Sequence, residues 1–328
     1  MSQGLPQRRR EVNSHACVHR LAILYRGFLL AGLLATAPLS YSADNQALDA
    51  RRVRGEYVYR AADCFGCHTD DKHGGSALAG GRALATPFGT FYAPNITPDA
   101  ETGIGKWSEQ DFLRALRAGL GRNHEQLYPA FPYTSYTKMS DEDVQALWAY
   151  LQSRPAVKQA NKPHDLKWFA SARSLIKLWK TLYFTPGAYK PNPNKSISWN
   201  QGAYLVEALT HCGACHTPRN ALGGAQTKLR YAGTRTGPEN SVVPNITPDK
   251  KTGIGKWSAT ELITYLGNGM TPDGDFAGDL MAEVIDNSLQ HLHKDDLAAI
   301  AEYMQSQPAI EHAVRKADKK PPDKEAWE

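Results

Sequence analysis

The chain has 328 residues, a formal net charge of +5 and 41% hydrophobic residues, enough for two or three small domains. Five Arg against one Glu in the first 43 residues account for most of the basic excess, and the remainder carries 33 positive and 32 negative side chains. Nucleic-acid binding therefore has no electrostatic support.

In chain order, the first segment reads as an export leader. Arg8, Arg9, Arg10, Arg20 and Arg26 form a positive flank, residues 27–39 are apolar, and the small residues Ser40, Ser42 and Ala43 follow. Cleavage near Ala43 is expected, with retention as an uncleaved anchor as the alternative. No later apolar run reaches bilayer-spanning length. The expected mature chain, 44–328, is then soluble or peripheral, in the periplasm and against the inner membrane.

A helix carrying Gly55, Tyr57 and Tyr59 leads into Cys64-Phe65-Gly66-Cys67-His68. A second helix, with Gly202 and Tyr204, leads into Cys212-Gly213-Ala214-Cys215-His216. Each pentad has what covalent haem attachment needs: two thiols to add to the vinyl groups and a histidine to bind the iron. A zinc site and a redox dithiol are the alternatives. Closed zinc sites draw four ligands from paired clusters, and these pentads lie in separate units. The fifth cysteine, Cys17, falls in the leader, so haem takes the stapling role that disulfides have in other exported domains.

After each pentad comes a Gly/Pro-rich loop and then a repeated stretch. Residues 93–119 and 243–269 share Pro-Asn-Ile-Thr-Pro and Gly-Ile-Gly-Lys-Trp at an offset of 150, which marks a duplicated domain. Helices are predicted to start after Ser108 and Ser258, each with an acidic residue three positions on as in a capping box. A closing helix is predicted over 141–152, with Val144, Leu147, Trp148 and Leu151 on one face. Its counterpart over 294–306 aligns Leu297, Ile300, Ala301 and Met304. Asn95 and Asn245 match a glycosylation pattern but read as loop structure. Trp107 and Trp257 are candidates for a propionate hydrogen bond through the indole N–H, with plain packing as the alternative. Between the copies, 156–195 forms a connector. Its helix aligns Leu175, Ile176, Trp179, Leu182 and Tyr183 in one stripe, expected to be buried against the two domains. A docking face for a partner or the membrane is the second reading. The domain boundaries are therefore 44–155, 156–195 and 196–312, with a polar tail at 313–328.

The sixth iron ligand separates carriers from catalysts. The mature chain holds four methionines. Met304 belongs in the closing helix as core. Met281 is the expected distal ligand of the second haem, and Met270 lies nearer the repeat helix. In the first copy Phe131, which cannot ligate iron, falls about where Met281 does. Met139 is the remaining choice there, with His124, His73 or an open iron as alternatives.

With pentads and repeat in hand, residues 50–310 resemble the cytochrome c subunits of bacterial membrane-associated alcohol, gluconate, fructose and aldehyde dehydrogenases. The stretches 86–90, 93–107, 127–144, 202–219 and 281–297 carry the likeness. The resemblance implies an all-α fold of two tandem class I cytochrome c-like domains, each wrapped round one covalent haem c. Cys64, Cys67, Cys212 and Cys215 would attach the haems. His68 and His216 would be proximal ligands, and Met281 falls in the family's Met-Ala-Glu-Val segment. It implies electron transfer from a periplasmic dehydrogenase subunit to a downstream acceptor, with no catalytic residues in this chain. A dihaem enzyme of the peroxidase or thiosulfate-oxidising type, with one open or unusual distal site, is the alternative.

Overall fold

The computed structural model describes residues 37–314, with side chains from residue 45. The expected leader, Cys17 and most of the polar tail lie outside the described residues. Helix α1 (Ala37–Ala61) begins six residues ahead of the expected cleavage point.

From residue 51 onward the chain forms one compact unit, and within it the order of elements occurs twice. The first half follows α1 with the short helix α2 (Cys64–His68), a loop, α3 (Glu109–Ala118), the turn α4 (Tyr133–Tyr136) and the closing helix α5 (Asp141–Gln152). Ser108 caps α3 in a full capping box with Asp111, and Gly119, at φ 61°, ends it with a left-handed residue. Ser140 caps α5 by accepting from the Asp143 N–H. Then comes α6 (Ser174–Tyr183) in the connector.

The second half opens on α7 (Ile197–Tyr204), which runs into a π turn at Leu205–Leu209, and on α8 (Gly213–His216). α9 (Ala259–Asn268) repeats the capping box with Ser258 and Glu261 and ends at Gly269, φ 82°. α10 (Asp279–Asn287) and α11 (Lys294–Gln305) close it.

In each half the first and last helices cross at a glycine. A Cβ on Gly55 would collide with the Ala146 carbonyl oxygen, and one on Gly202 with that of Ala299. Only a missing side chain permits that approach. The buried residues of both halves, among them Val58, Leu116, Leu147, Leu205, Leu266 and Ile300, join in one apolar cluster.

One expectation is borne out with an addition and one is corrected. The fold is largely helical, and strands β1 (Ala83–Thr86), β2 (Gly89–Tyr92) and β3 (Asp165–Leu166) add a small antiparallel sheet in the order β1-β2-β3. These strands are too short to leave an alternating pattern in the sequence, and β3 comes from the connector. The connector stripe is also split. Ile176, Trp179 and Tyr183 turn inward, whereas Leu175, Leu178 and Leu182 are exposed, at 54%, 61% and 59%. The connector is held instead by polar contacts. Lys180 Nζ donates to the Ala118 and Gly119 carbonyls at 2.7 and 2.8 Å, which satisfies the C-terminus of α3, and Trp179 Nε1 donates to Leu222 O at 2.9 Å.

The halves meet through reciprocal contacts. Tyr57 of the first half donates to Asp296 at the start of α11, and its ring stacks on His293 at 4.7 Å. Reciprocally, Tyr204 donates to Asp143 at the start of α5 at 2.6 Å and accepts from the Ser140 N–H at 3.0 Å. Each carboxylate also takes a donor from the first helix of its own half. Arg54 forks onto Asp143 at 2.7 and 2.9 Å, and Gln201 reaches Asp296 at 2.9 Å. Among the described residues no helix is long and apolar enough to cross a membrane.

Candidate haem-binding sites

Each pentad sits on one tight helical turn after a residue with positive φ. Asp63 (φ 48°) precedes Cys64 and His211 (φ 39°) precedes Cys212. The Asp63 carboxylate accepts from Gly66 N at 3.1 Å, which caps α2. Burial pushes that carboxyl up to about 7, against the lowering effect of the Gly66 N–H. The turn carries the cysteines and the histidine of each motif on one short segment.

The histidines are held identically. His68 Nδ1 lies 2.8 Å from the Pro94 carbonyl oxygen, and His216 Nδ1 lies 2.8 Å from that of Pro244. A carbonyl only accepts, so Nδ1 carries the proton in both rings and Nε2 keeps its lone pair. The outer-sphere bond fixes tautomer and ring orientation, as it does for metal-ligating histidine generally. Burial also lowers both imidazole pKa values, which keeps the rings neutral.

The loops are built to deliver those carbonyls. Gly80 N donates to His68 O at 2.8 Å, and Gly233 N to His216 O at 2.7 Å. Both glycines have positive φ (78° and 82°), and a Cβ there would press on the carbonyl carbon of Pro94 or Pro244. Asn95 and Asn245 are buried, and their amides tie the loop together. Each Oδ1 accepts from Thr97 or Thr247, and each Nδ2 donates to Thr102 or Thr252 and to a carbonyl beyond the closing helix, Val157 O or Ile310 O at 2.8 Å. The loop reading of these asparagines matches that burial. Trp107 and Trp257 are partly buried against the core, and neither indole N–H has a protein acceptor among the described residues.

The surroundings of the thiols are not those that activate a redox dithiol. Burial pushes all four up, Cys67 to about 12 and Cys215 to about 11, whereas reactive dithiols need a depressed value. Among the described residues no three His, Cys, Asp or Glu side chains converge on a metal-binding cluster. Paired thiols, a ring nitrogen fixed with its lone pair free and apolar walls are the donor set of a covalently attached haem.

A cytochrome c family model matches residues 53–155. The chain is 41% identical to a dihaem cytochrome c-type protein of Cereibacter sphaeroides, over 86% of this chain and 94% of that one. The chain belongs to the cytochrome c family.

This cytochrome c is also 42% identical to the gluconate 2-dehydrogenase cytochrome c subunit of Pantoea cypripedii, over 85% of its own length and 64% of the relative's. It is 40% identical to the fructose dehydrogenase cytochrome subunit of Gluconobacter japonicus, over 84% and 55%. The chain thus spans less than two thirds of those two subunits.

The remaining expected residues of the cytochrome fall in different surroundings. Met281 lies in the first turn of α10, partly buried and packed against the core. Met304 is buried in α11 and Met270 is 39% exposed. Met139 is the most deeply buried of the four. It has no exposed surface and immediately precedes the α5 cap Ser140, as the core residue Leu292 precedes the α11 cap His293. His124 is exposed, and His73 pairs with Asp70 at 2.7 Å.

Sequence reasoning missed the two proline carbonyls and Tyr136. Tyr136 donates to Ala62 O at 2.9 Å, two residues before Cys64, and its ring meets His211 at 5.5 Å, one residue before Cys212. It stands between the two pentads. Only the repeated Pro-Asn-Ile-Thr-Pro carried a signal for the carbonyls, and nothing in the sequence singled out Tyr136.

Proposed function

We propose that the protein is a dihaem electron carrier of the periplasm. It takes single electrons from a dehydrogenase subunit and passes them through two covalent haems c to a respiratory acceptor. One observation carries this reading: two Cys-x-x-Cys-His turns, each with its histidine Nδ1 bonded to a proline carbonyl and its Nε2 left to bind iron. Each half is then one cytochrome c domain holding one haem.

In this reading Cys64 and Cys67 hold the first haem and Cys212 and Cys215 the second, with His68 and His216 as proximal ligands. Met281 is the distal ligand of the second. Bound haem supplies reversible one-electron chemistry at iron. The chain's part is to fix the two sites relative to each other and to set their potentials through ligand and burial. The reciprocal Tyr–Asp pairs and Tyr136 act on the first of these tasks. The relatives named as gluconate and fructose dehydrogenase subunits support a dehydrogenase as the partner.

The connector supports peripheral attachment to an anionic bilayer. Trp168 is 87% exposed, and Phe169, Leu175, Leu178 and Leu182 are exposed with it. Residues 166–206 hold six basic side chains and no acidic one.

The test is a pyridine haemochrome count on purified exported holoprotein, followed by reduction of both haems by a dehydrogenase of this class fed its own substrate. Two haems per chain, both reduced, is the expected result. A chain with one haem, or with two that no such dehydrogenase reduces, would overturn the reading.

A further inference from the structure

The two halves run in matched register right up to their distal segments. Leu127 N donates to Gly119 O at 2.8 Å, and Ala277 N to Gly269 O at 2.8 Å. Inside those closures Leu120 bridges Gln126 and Met270 bridges Phe276, again 150 residues apart. Four residues further on stand Phe131 and Met281. From the other side the helix caps Ser140 and His293 are 153 residues apart. The three extra residues are absorbed between these landmarks, where the second half builds the nine-residue α10 and the first only the four-residue α4. Phe131 therefore takes the place of Met281, and Met139 takes the place of Leu292, a side chain that cannot bind iron.

We propose that the distal side of the first haem is formed by the ring of Phe131 and lacks a methionine sulfur. The reduced first haem then binds a small neutral diatomic ligand of the carbon monoxide or nitric oxide class, while Met281 keeps the second haem closed. This rests on the reading that each half carries a haem.

Three observations support it. Met139 is fully buried in the apolar cluster, where its packing role is that of Leu292. The Phe131 ring lies 5.5 Å from the ring of Tyr136, whose hydroxyl is fixed to the carbonyl two residues before Cys64, so Phe131 is packed toward the first pentad. Of the histidines and lysine near the first half, His73 and His124 are exposed, His164 accepts from Tyr92 N at 3.2 Å through Nδ1 and so carries its proton on Nε2, and Lys138 pairs with Glu207. Ligand addition forms one coordinate bond at Fe(II) and moves no electron. A thioether favours Fe(II), so its absence also gives the first haem the lower potential of the two.

The experiment uses holoprotein whose haem count has first been fixed at two per chain, which separates failure of the dihaem reading from failure of this proposal. The reduced protein is titrated with carbon monoxide and followed in the Soret band. The expected result is a response from half the haem in the natural protein and from none in Phe131→Met. Met139→Leu should leave the response unchanged, and Met281→Leu should extend it to all the haem. Silence in the natural protein would overturn the proposal. So would a second responding haem on Met139→Leu, or no added response in Met281→Leu. If Phe131→Met does not fold, the Met139→Leu and Met281→Leu pair still decides.

Discussion

The first and second halves share their caps, their glycine crossings and their histidine bonds, yet they differ where those features meet chemistry and charge. Asp143 is gripped by a charged fork from Arg54, whereas its counterpart Asp296 has the neutral Gln201. Phe131 stands opposite Met281. The histidine bonds and the glycine turns beside each pentad are duplicated almost atom for atom, while the segments that carry Phe131 and Met281 and the seam between halves have diverged. Under the dihaem reading proposed above, both copies keep what would position an iron and differ in what would tune its potential.

The comparison can be broken most severely at the pentads. Replacing Cys212 and Cys215 by Ala should lower the haem count from two to one per chain, and the same change at Cys64 and Cys67 should remove the other haem. A pyridine haemochrome on each variant checks this, and the two residual spectra isolate the individual haems.

Next come the helix crossings. Gly55→Val and Gly202→Val each drive a branched side chain into a backbone carbonyl, at a cost of about 3 kcal/mol or more. Equal losses in urea melts would show that both halves depend on the crossing alike.

The seam should respond unequally. Asp143→Asn weakens a charge-assisted fork with a half-exposed partner and should cost about 2 kcal/mol, whereas Asp296→Asn should cost about 1 kcal/mol. Denaturant melts of the two variants measure the difference.

The smallest effect is a pH dependence. Burial pushes the Glu207 carboxyl up, but Arg230, Lys138 and Tyr303 outweigh it and hold the group below its ordinary 4.5. Lys138 belongs to the other half, so this group also ties the seam. A depressed carboxyl contributes stability that is present above its unfolded value and is lost as pH falls through the folded one. The natural protein should therefore lose thermal stability more steeply below pH 4.5 than Glu207→Gln does, with little difference in slope at neutral pH.

Much of the fold could be read in advance. Ser108 and Ser258 announce their helices because a capping box is a contact within four residues, and the closing helices announce themselves through periodicity. The sheet could not be read, because two of its strands are four residues long and the third, of two residues, arrives from the connector. The outward Leu175, Leu178 and Leu182 could not be read either, since a periodic apolar stripe does not say which edge of it meets a neighbour. At the sites, cysteines and histidines were legible and their orientation was not: Pro94 lies 26 residues beyond His68 and bonds it only once the loop has folded back. Met139 was the expected ligand of the first copy as the methionine available just before its closing helix. Where the three-residue difference between α4 and α10 falls was not legible, because the hydrogen-bonded landmarks on both sides form only in the folded chain.

By itself the amino-acid sequence determined that two Cys-x-x-Cys-His turns exist, that they lie in repeated units, and which helices flank them. Those features are short-range, written in adjacent residues and local periodicity. Tertiary structure alone decided that the two units close into one body through Tyr57–Asp296 and Tyr204–Asp143. Contacts between residues some 60 to 240 positions apart depend on how helices pack, and no local pattern records that.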